Sequence, residues 1–285
     1  MRGDLHIHTT LSDGSLSIEE VIAYAKTAGL NCIAISDHDS IQSFSYAQTI
    51  GWQYGISVLR GVEFSCYDYL RRRKVHILCY QPNKPEYLLR LCEKTTDCRK
   101  LAGNQMAEKV LQKYPIPPSW ITRYAQGSRC IYKQHIMHAL MDGGYTDSIY
   151  GELYQNLFSD QKDSLLTPVI YPDVREALDV IHAAGGLAVL AHPGLYDSFD
   201  FMCELIAEHR LDGLEVWHPK NKPEETEYLL QLAKRHQLLT TGGSDFHGMY
   251  HSGAHLEMGC CTTPPNVLEQ LLNREGDKKE KEKVR

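Results

Sequence analysis

Three times in its second half the chain runs a helix-periodic stretch straight into a short apolar run: DVREALDVIHAAGG into LAVLAHPG, FDFMCELIAEHR into LDGLEVWHP, and EETEYLLQLAKRHQ into LLTTGGSDFHG. Helix followed by strand, repeated, is the habit of a parallel sheet, and here it points to a barrel. The first half follows a similar order. GDLHIH opens as a strand, and LSIEEVIAYAKTAGL has helical spacing at Ile18, Val21, Ile22 and Ala25, with Ser17 as N-cap, Glu20 three residues on and Gly29 as the stop. NCIAIS is a second strand ending in DHD, a helix is expected over about 40–53, SVLRGVEFSC is a third strand, and RRRKVHILCY is its hairpin return.

The strand ends carry the chemistry. His38 follows the second strand, Glu63 lies near the third, His192 follows LAVLA, His218 follows LEVW, and Asp245 and His247 follow LLTTGG. Loops at the carboxyl ends of parallel strands converge on one rim, so these residues are expected at one cavity. In the first strand, alternation sends Asp4, His6 and His8 to one face and Leu5, Ile7 and Thr9 to the other, so the histidine face must meet something polar. Residues 84–166 break the rhythm. They read as helical throughout and are expected to form an insertion capping the rim, which leaves 1–83 and 167–272 as a discontinuous barrel and 273–285 as a solvated, charged tail.

Composition narrows the function classes. A chain of 285 residues, 42% hydrophobic and 23% charged, suits one large globular domain or one domain with an insertion. No run approaches the roughly 18 apolar residues of a membrane helix, and Met-Arg-Gly leads into a strand with no apolar leader, so a cytoplasmic protein is expected. The nine cysteines include no C-x-x-C pair, which points to buried reduced thiols rather than a disulfide framework or zinc ribbon. A net charge of -6 argues against general adhesion to nucleic acid or membrane. No obligate protein partner is evident.

Imidazole and carboxylate are the usual ligands of zinc, manganese and iron, and H-x-H on a strand sets two imidazoles on one face about 6 to 7 Å apart. Here the pair His6 and His8 is joined by Asp13, His38, Glu63, His76, His192, Asp245 and His247. Nine donors exceed one coordination sphere, and three ions sharing bridging carboxylates would use them. Three divalent ions bring six positive charges; Asp13, Glu63 and Asp245 remove three and a bridging hydroxide one, which leaves a site suited to a phosphate dianion. Attack by a metal-bound hydroxide on a phosphoester is the reaction class this implies. Asp4, Asp37 and Asp39 are expected behind the ligands, orienting imidazole N–H groups. His182, His209 and His236 fall late in helices, where they suit the terminal carbonyls. TTGGSD has no P-loop lysine and is read as a close approach of backbone to the site.

The motifs DLHIHTTLSDG, SDHDS, GVEFS, KVHILCY, AHPG and GSDFHG, in that order, resemble those of the PHP (polymerase and histidinol phosphatase) superfamily. The resemblance implies a distorted seven-stranded (β/α) barrel with a trinuclear site: one ion held by His6, His8, Glu63 and Asp245, a second by Glu63, His76 and His192, and a third by Asp13, His38 and His247. The helical insertion before AHPG most resembles the small phosphoesterases that include nucleoside 3′,5′-bisphosphate phosphatases and a 5′-to-3′ exoribonuclease of short RNA. The implied substrate is accordingly a small phosphorylated nucleotide or short oligonucleotide, with phosphate as a product; Glu63, Asp245 and His218 are the expected catalytic residues. In that branch a segment like KQHIMHALMDGGY faces the substrate phosphate, which implies contacts from Lys133 and His135, with Arg129 nearby. Leu195 stands where the branch usually has Arg. The alternatives are a phosphatase for a non-nucleotide metabolite such as histidinol phosphate, and a non-catalytic PHP module.

Overall fold

The computed structural model describes residues 1–251 and 257–283, with side chains as far as residue 274. Seven strands form one sheet in chain order: β1 (Gly3–Ile7), β2 (Cys32–Ile35), β3 (Ser57–Asp68), β4 (Arg73–Tyr80), β5 (Leu187–Leu190), β6 (Gly213–Trp217) and β7 (Leu239–Gly242). β1, β2 and β3 pair in parallel, as do β5, β6 and β7. β4 is antiparallel to both its neighbours, as expected for the return strand that carries His76. The sheet curls until its ends meet: the His8 N–H donates to the Phe246 carbonyl at 2.9 Å, just beyond β7.

Helices cover the outside because every second strand residue is apolar and points there. α1 (Ile18–Thr27) starts on the expected capping box, with the Glu20 N–H donating to Ser17 Oγ and the Ser17 N–H to the Glu20 carboxylate. Its buried face, Ile18, Val21, Ile22 and Ala25, packs with Ile33 and Ile35 of β2. α2 (Phe44–Tyr54) starts later than expected. α7 (Val174–Ala183), α8 (Phe199–Ala207) and α9 (Pro223–His236) cover the second half, where Leu178, Ile181, Leu205 and Leu229 pack with Val62, Ile77, Leu190 and Leu214.

The inward-facing residues differ from one end of the barrel to the other. Leu5, Cys32, Ala34, Leu59, Leu78, Tyr80 and Val189 fill one end, sealed by Val267, Leu268 and Leu271 of α10 (Pro265–Lys283). Along β4, two-residue alternation carries the same face from Tyr80 and Leu78 to His76, and along β3 from Leu59 to Glu63. The opposite end is therefore polar. β1 departs from simple alternation: its register shifts between Asp4 and Ile7, so Leu5 joins the interior plug while Ile7 packs outward against α1. A local bulge of this kind lets the strand supply both a plug residue and two inward histidines.

Between Tyr80 and α7 the regular elements among the described residues are a 3₁₀ turn (Pro85–Leu88) and four α-helices: α3 (Leu89–Lys113), α4 (Pro118–Tyr124), α5 (Lys133–Asp142) and α6 (Glu152–Phe158). Their core joins Met106, Val110, Ile121, Ile136, Leu140, Leu157 and Phe158 with Tyr250 from the loop after β7. Leu88, Leu91 and Cys92 instead pack with the barrel, so the insertion shares its first turns with the barrel wall. The expected charged tail continues α10 as helical backbone to Lys283.

Gly243 marks the tightest closure. A Cβ there would lie 2.3 Å from His6 Cβ and 2.5 Å from the His6 nitrogen, both on the neighbouring strand. The Gly243→Ala variant should lose about 2–3 kcal/mol of stability, read as a lowered midpoint in thermal or urea unfolding; an unchanged midpoint would mean that β1 and β7 have slack.

Candidate metal centre

Glu63 projects from mid-β3 into the polar end of the barrel with no solvent exposure. Its Oε1 lies 2.8 Å from His76 Nδ1 and 2.9 Å from His192 Nε2. Its Oε2 lies 3.1 Å from His38 Nδ1 and 3.3 Å from both His6 Nε2 and His8 Nε2. Asp245 adds Oδ1 at 3.3 Å from His6 Nε2 and 3.2 Å from His8 Nε2. On the far side, Asp13 Oδ1 is 3.4 Å from His247 Nε2, and Asp13 Oδ2 is 3.9 Å from His38 Nε2. All nine residues expected at the rim thus gather in one cluster. Within it, three sets have donor atoms mutually within 4.8 Å: His6, His8, Glu63 and Asp245; His8, Asp13, His38 and His247; and His38, Glu63 and His76.

The donor set fits metal ions by its unmet bonding. His6 Nε2, His8 Nε2, Asp13 Oδ1, Glu63 Oε2 and His192 Nδ1 are buried without a hydrogen-bond partner. Buried polar atoms are almost always satisfied, and four of these five belong to the three close sets, where a cation would satisfy them. Two members are held in left-handed backbone, Asp245 at φ 53° and His192 at φ 26°, a conformation that aims each side chain at the cavity immediately after its strand.

Charge balance inside the cluster is tight. Burial alone would raise the Glu63 carboxyl, but the charges of His76, His6 and His38 and the His192 hydrogen bond hold it well below the carboxylate range. Asp13 and Asp245 are likewise held down against burial, Asp13 first by His247 and Asp245 first by His6. For His8, burial is outweighed by the adjoining Asp245 and Glu63 carboxylates, and its pKa rises to about 10. For His38 and His76 burial prevails and the pKa falls. Three carboxylates are thus kept ionised in a cluster that demands positive charge.

The layer behind the donors differs from expectation. Asp37 accepts from the Thr9 N–H, the Thr9 hydroxyl and the Ser12 hydroxyl at 2.8, 2.7 and 2.6 Å. Asp4 accepts from the Ser244 hydroxyl and the Gly259 N–H at 2.5 and 2.7 Å, and Asp39 pairs with Arg99 at 2.8 Å. Their carboxylates brace loops, because unpaired backbone N–H groups and hydroxyls lie nearer than the imidazoles. Glu215 takes the role foreseen for them: it lies 2.9 Å from His6 Nδ1 and accepts the His192 N–H at 2.8 Å. The signal was a lone acid inside the strand GLEVW, which two-residue alternation places on the inner face.

Other expected residues spread out. His218 accepts the Lys220 N–H at Nδ1 (3.1 Å), which puts its proton on Nε2, 3.4 Å from Asp245 Oδ2. A cavity of about 170 Å³ opens over the cluster, and Leu195, Tyr196, Tyr150, Lys220, Tyr250 and His251 complete its wall. Arg129, Lys133 and His135 are absent from that wall. Arg129 is exposed, Lys133 Nζ lies over the Tyr154 and Phe158 rings, and His135 turns back to accept the Tyr132 N–H at the start of its own helix. Between the last two, Gln134 reaches Asp13 Oδ2 at 3.0 Å. Of the late-helix histidines, His182 meets Asp212 at 3.2 Å.

A barrel of this topology with an imidazole–carboxylate mouth is the scaffold of a metal-dependent phosphoesterase. The chain belongs to the PHP domain family, whose model matches residues 4–258. It is 35% identical to the phosphoribosyl 1,2-cyclic phosphate 1,2-diphosphodiesterase of Eggerthella lenta, over 89% of this chain and 97% of that one. It is 31% identical to the 5′-3′ exoribonuclease Rnm of Salmonella typhimurium (86% and 84% covered) and 27% identical to the 3′,5′-nucleoside bisphosphate phosphatase of Chromobacterium violaceum (88% of each). Among solved structures, one assigned as a metal-dependent phosphoesterase of Bifidobacterium adolescentis superposes with a TM-score of 0.85 at 30% identity, covering 95% of this chain and 96% of that one.

Removing the brace behind His6 tests how the donors are held. Glu215→Ala should weaken divalent-metal affinity 10–100-fold, measured by competition with a chelating dye; unchanged affinity would show that the imidazoles are fixed without it.

Proposed function

We propose that the protein hydrolyses phosphate esters on phosphorylated ribose, in nucleoside 3′,5′-bisphosphates or short 5′-phosphorylated oligoribonucleotides, with three divalent ions of zinc, manganese or iron type. His6, His8, Glu63 and Asp245 would hold the first ion, Glu63, His76 and His192 the second, and Asp13, His38 and His247 the third. The observation that carries the reading is the convergence of buried, unpartnered donor atoms of His6, His8, Asp13 and Glu63 beneath a cavity that Asp13 and Glu63 line. Divalent ions held by these residues would supply Lewis acidity, lowering the pKa of water and neutralising phosphoryl charge.

The protein's own groups provide the rest. Glu63 offers both carboxylate oxygens and so ties the sets together, while Glu215 fixes the orientation of His6. His218, with its proton on Nε2 beside Asp245, is placed to protonate the departing ribose oxygen. Tyr150, Tyr196 and Tyr250 wall the cavity and limit water around the reacting ester. A second reading draws on the 35% identity to the phosphoribosyl cyclic phosphate enzyme: a substrate with phosphates on ribose but no base.

The deciding experiment is metal analysis of the purified protein followed by release of inorganic phosphate or mononucleotide from adenosine 3′,5′-bisphosphate, short 5′-phosphorylated RNA, 5-phosphoribosyl 1,2-cyclic phosphate and histidinol phosphate. Release from the ribose substrates, abolished by chelator, is expected; release from histidinol phosphate alone would overturn the proposal. Glu63→Ala should remove turnover while circular dichroism stays native. A near-normal rate in that variant would contradict its shared role.

A further inference from the structure

Asp13, His38 and His247, on the far side of the donor cluster, are each tied to the helices between β4 and β5. For Asp13 the tie is direct. Gln134 of α5 donates to its Oδ2 at 3.0 Å, while Oδ1 stays buried without a hydrogen bond. The turn after α4 also meets the loop that carries Asp13: a Cβ on Gly127 would lie 3.1 Å from the Thr10 carbonyl oxygen. For His38 the tie runs through one hydroxyl. Arg99 of α3 donates to Ser65 Oγ and to Asp39 Oδ2, both at 2.8 Å, and Ser65 Oγ lies 3.3 Å from His38 Nδ1. The guanidinium is held over the Tyr132 and Tyr171 rings, 4.9 and 5.5 Å from their centroids. For His247 the tie is Tyr250, whose N–H donates to the His247 carbonyl at 3.3 Å and whose hydroxyl meets His138 Nδ1 of α5 at 2.9 Å.

The remaining donors are braced by the barrel. Glu215 of β6 holds His6 and the His192 N–H, and Tyr196, on the loop after β5, meets the rings of His76 and His192 at 5.0 and 5.5 Å. Among the described residues no hydrogen bond, ion pair or ring contact joins His6, His8, Glu63, His76, His192 or Asp245 to α3–α6. Groups that orient a ligand commonly govern about 10- to 100-fold in metal affinity. Neither Gln134 nor Arg99 sets a net positive charge against an ion: the amide is neutral, and the guanidinium is neutralised by Asp39. We infer that α3 and α5, through Arg99 and Gln134, set the metal affinity of the Asp13–His38–His247 position, whereas the barrel alone prepares the other two. The inference rests on the three-ion reading and divides its site into a barrel part and a part completed by the packing of the helices on the mouth.

The test uses the full-length protein and its Gln134→Ala, Arg99→Met and Arg99→Lys variants, equilibrated with manganese(II) over a range of concentrations. Occupancy of each position is read from anomalous diffraction, and binding in solution from calorimetry. Gln134→Ala and Arg99→Met should each need about 10- to 100-fold more manganese to fill the Asp13–His38–His247 position, with filling of the other two unchanged. Arg99→Lys, which keeps the charge that pairs with Asp39, should retain most of the affinity. Glu215→Ala should do the reverse, weakening the position of His6 and sparing that of Asp13. A role confined to folding would lower the unfolding temperature without singling out one position. Arg99→Met leaves Asp39 buried without its partner; should that variant not fold, the half-buried Gln134 decides. Unchanged filling of the Asp13 position in Gln134→Ala, or an equal loss at all three positions, would overturn the inference and leave the three-ion reading intact. An unmodified protein that holds no ion between Asp13, His38 and His247 at any concentration would overturn both.

Discussion

Glu63 is the constraint around which the molecule is arranged. Its carboxylate is fully buried in mid-strand, and five imidazoles, those of His6, His8, His38, His76 and His192, lie within 3.3 Å of its two oxygens. An unpaired buried carboxylate costs several kcal/mol, so the fold can keep Glu63 ionised only by surrounding it with positive charge. Asp13 and Asp245 raise the same demand from adjoining loops. A centre so rich in negative charge, in which the inner nitrogens of His6 and His8 lack hydrogen-bond partners, is built to hold cations.

Two-residue alternation lets one barrel carry both a dry plug and this charged mouth. On β3 and β4 the same inward face reads Leu59 then Glu63, and Tyr80, Leu78 then His76, so apolar burial by α10 at one end supports the polar cluster at the other. The reversed direction of β4 brings His76 to the mouth near the start of its strand, whereas the parallel strands deliver their donors at or after their ends. The helices between β4 and β5 reach the same mouth: Gln134 meets Asp13, and Tyr250 joins the core of those helices while lining the cavity.

Much of this was legible in the sequence, for identifiable reasons. The Ser17–Glu20 capping box, the β4 return and the assembly of His6, His8, Asp13, His38, Glu63, His76, His192, Asp245 and His247 follow from local spacing and from the rule that parallel strands deliver their carboxyl ends to one rim. What spacing could not give was the third dimension. The bulge that separates Leu5 from Ile7 depends on pairing with β2, and no residue in GDLHIH announces it. Asp4, Asp37 and Asp39 adjoin donors in sequence but turn to nearer N–H, hydroxyl and guanidinium groups, while Glu215, remote in sequence, reaches His6 because barrel closure brings β6 within one strand of β1. On α5 the choice among Lys133, Gln134 and His135 was one of helical phase, and only packing on Tyr154 and Phe158 settles which of them points at Asp13.

The most direct measurement of the central claim is anomalous diffraction from crystals of the metal-loaded protein, collected at the zinc, iron and manganese edges. The account predicts anomalous peaks between His6, His8, Glu63 and Asp245, between Glu63, His76 and His192, and between Asp13, His38 and His247. Peaks confined to other parts of the molecule, with Glu63 contacting no ion, would contradict it.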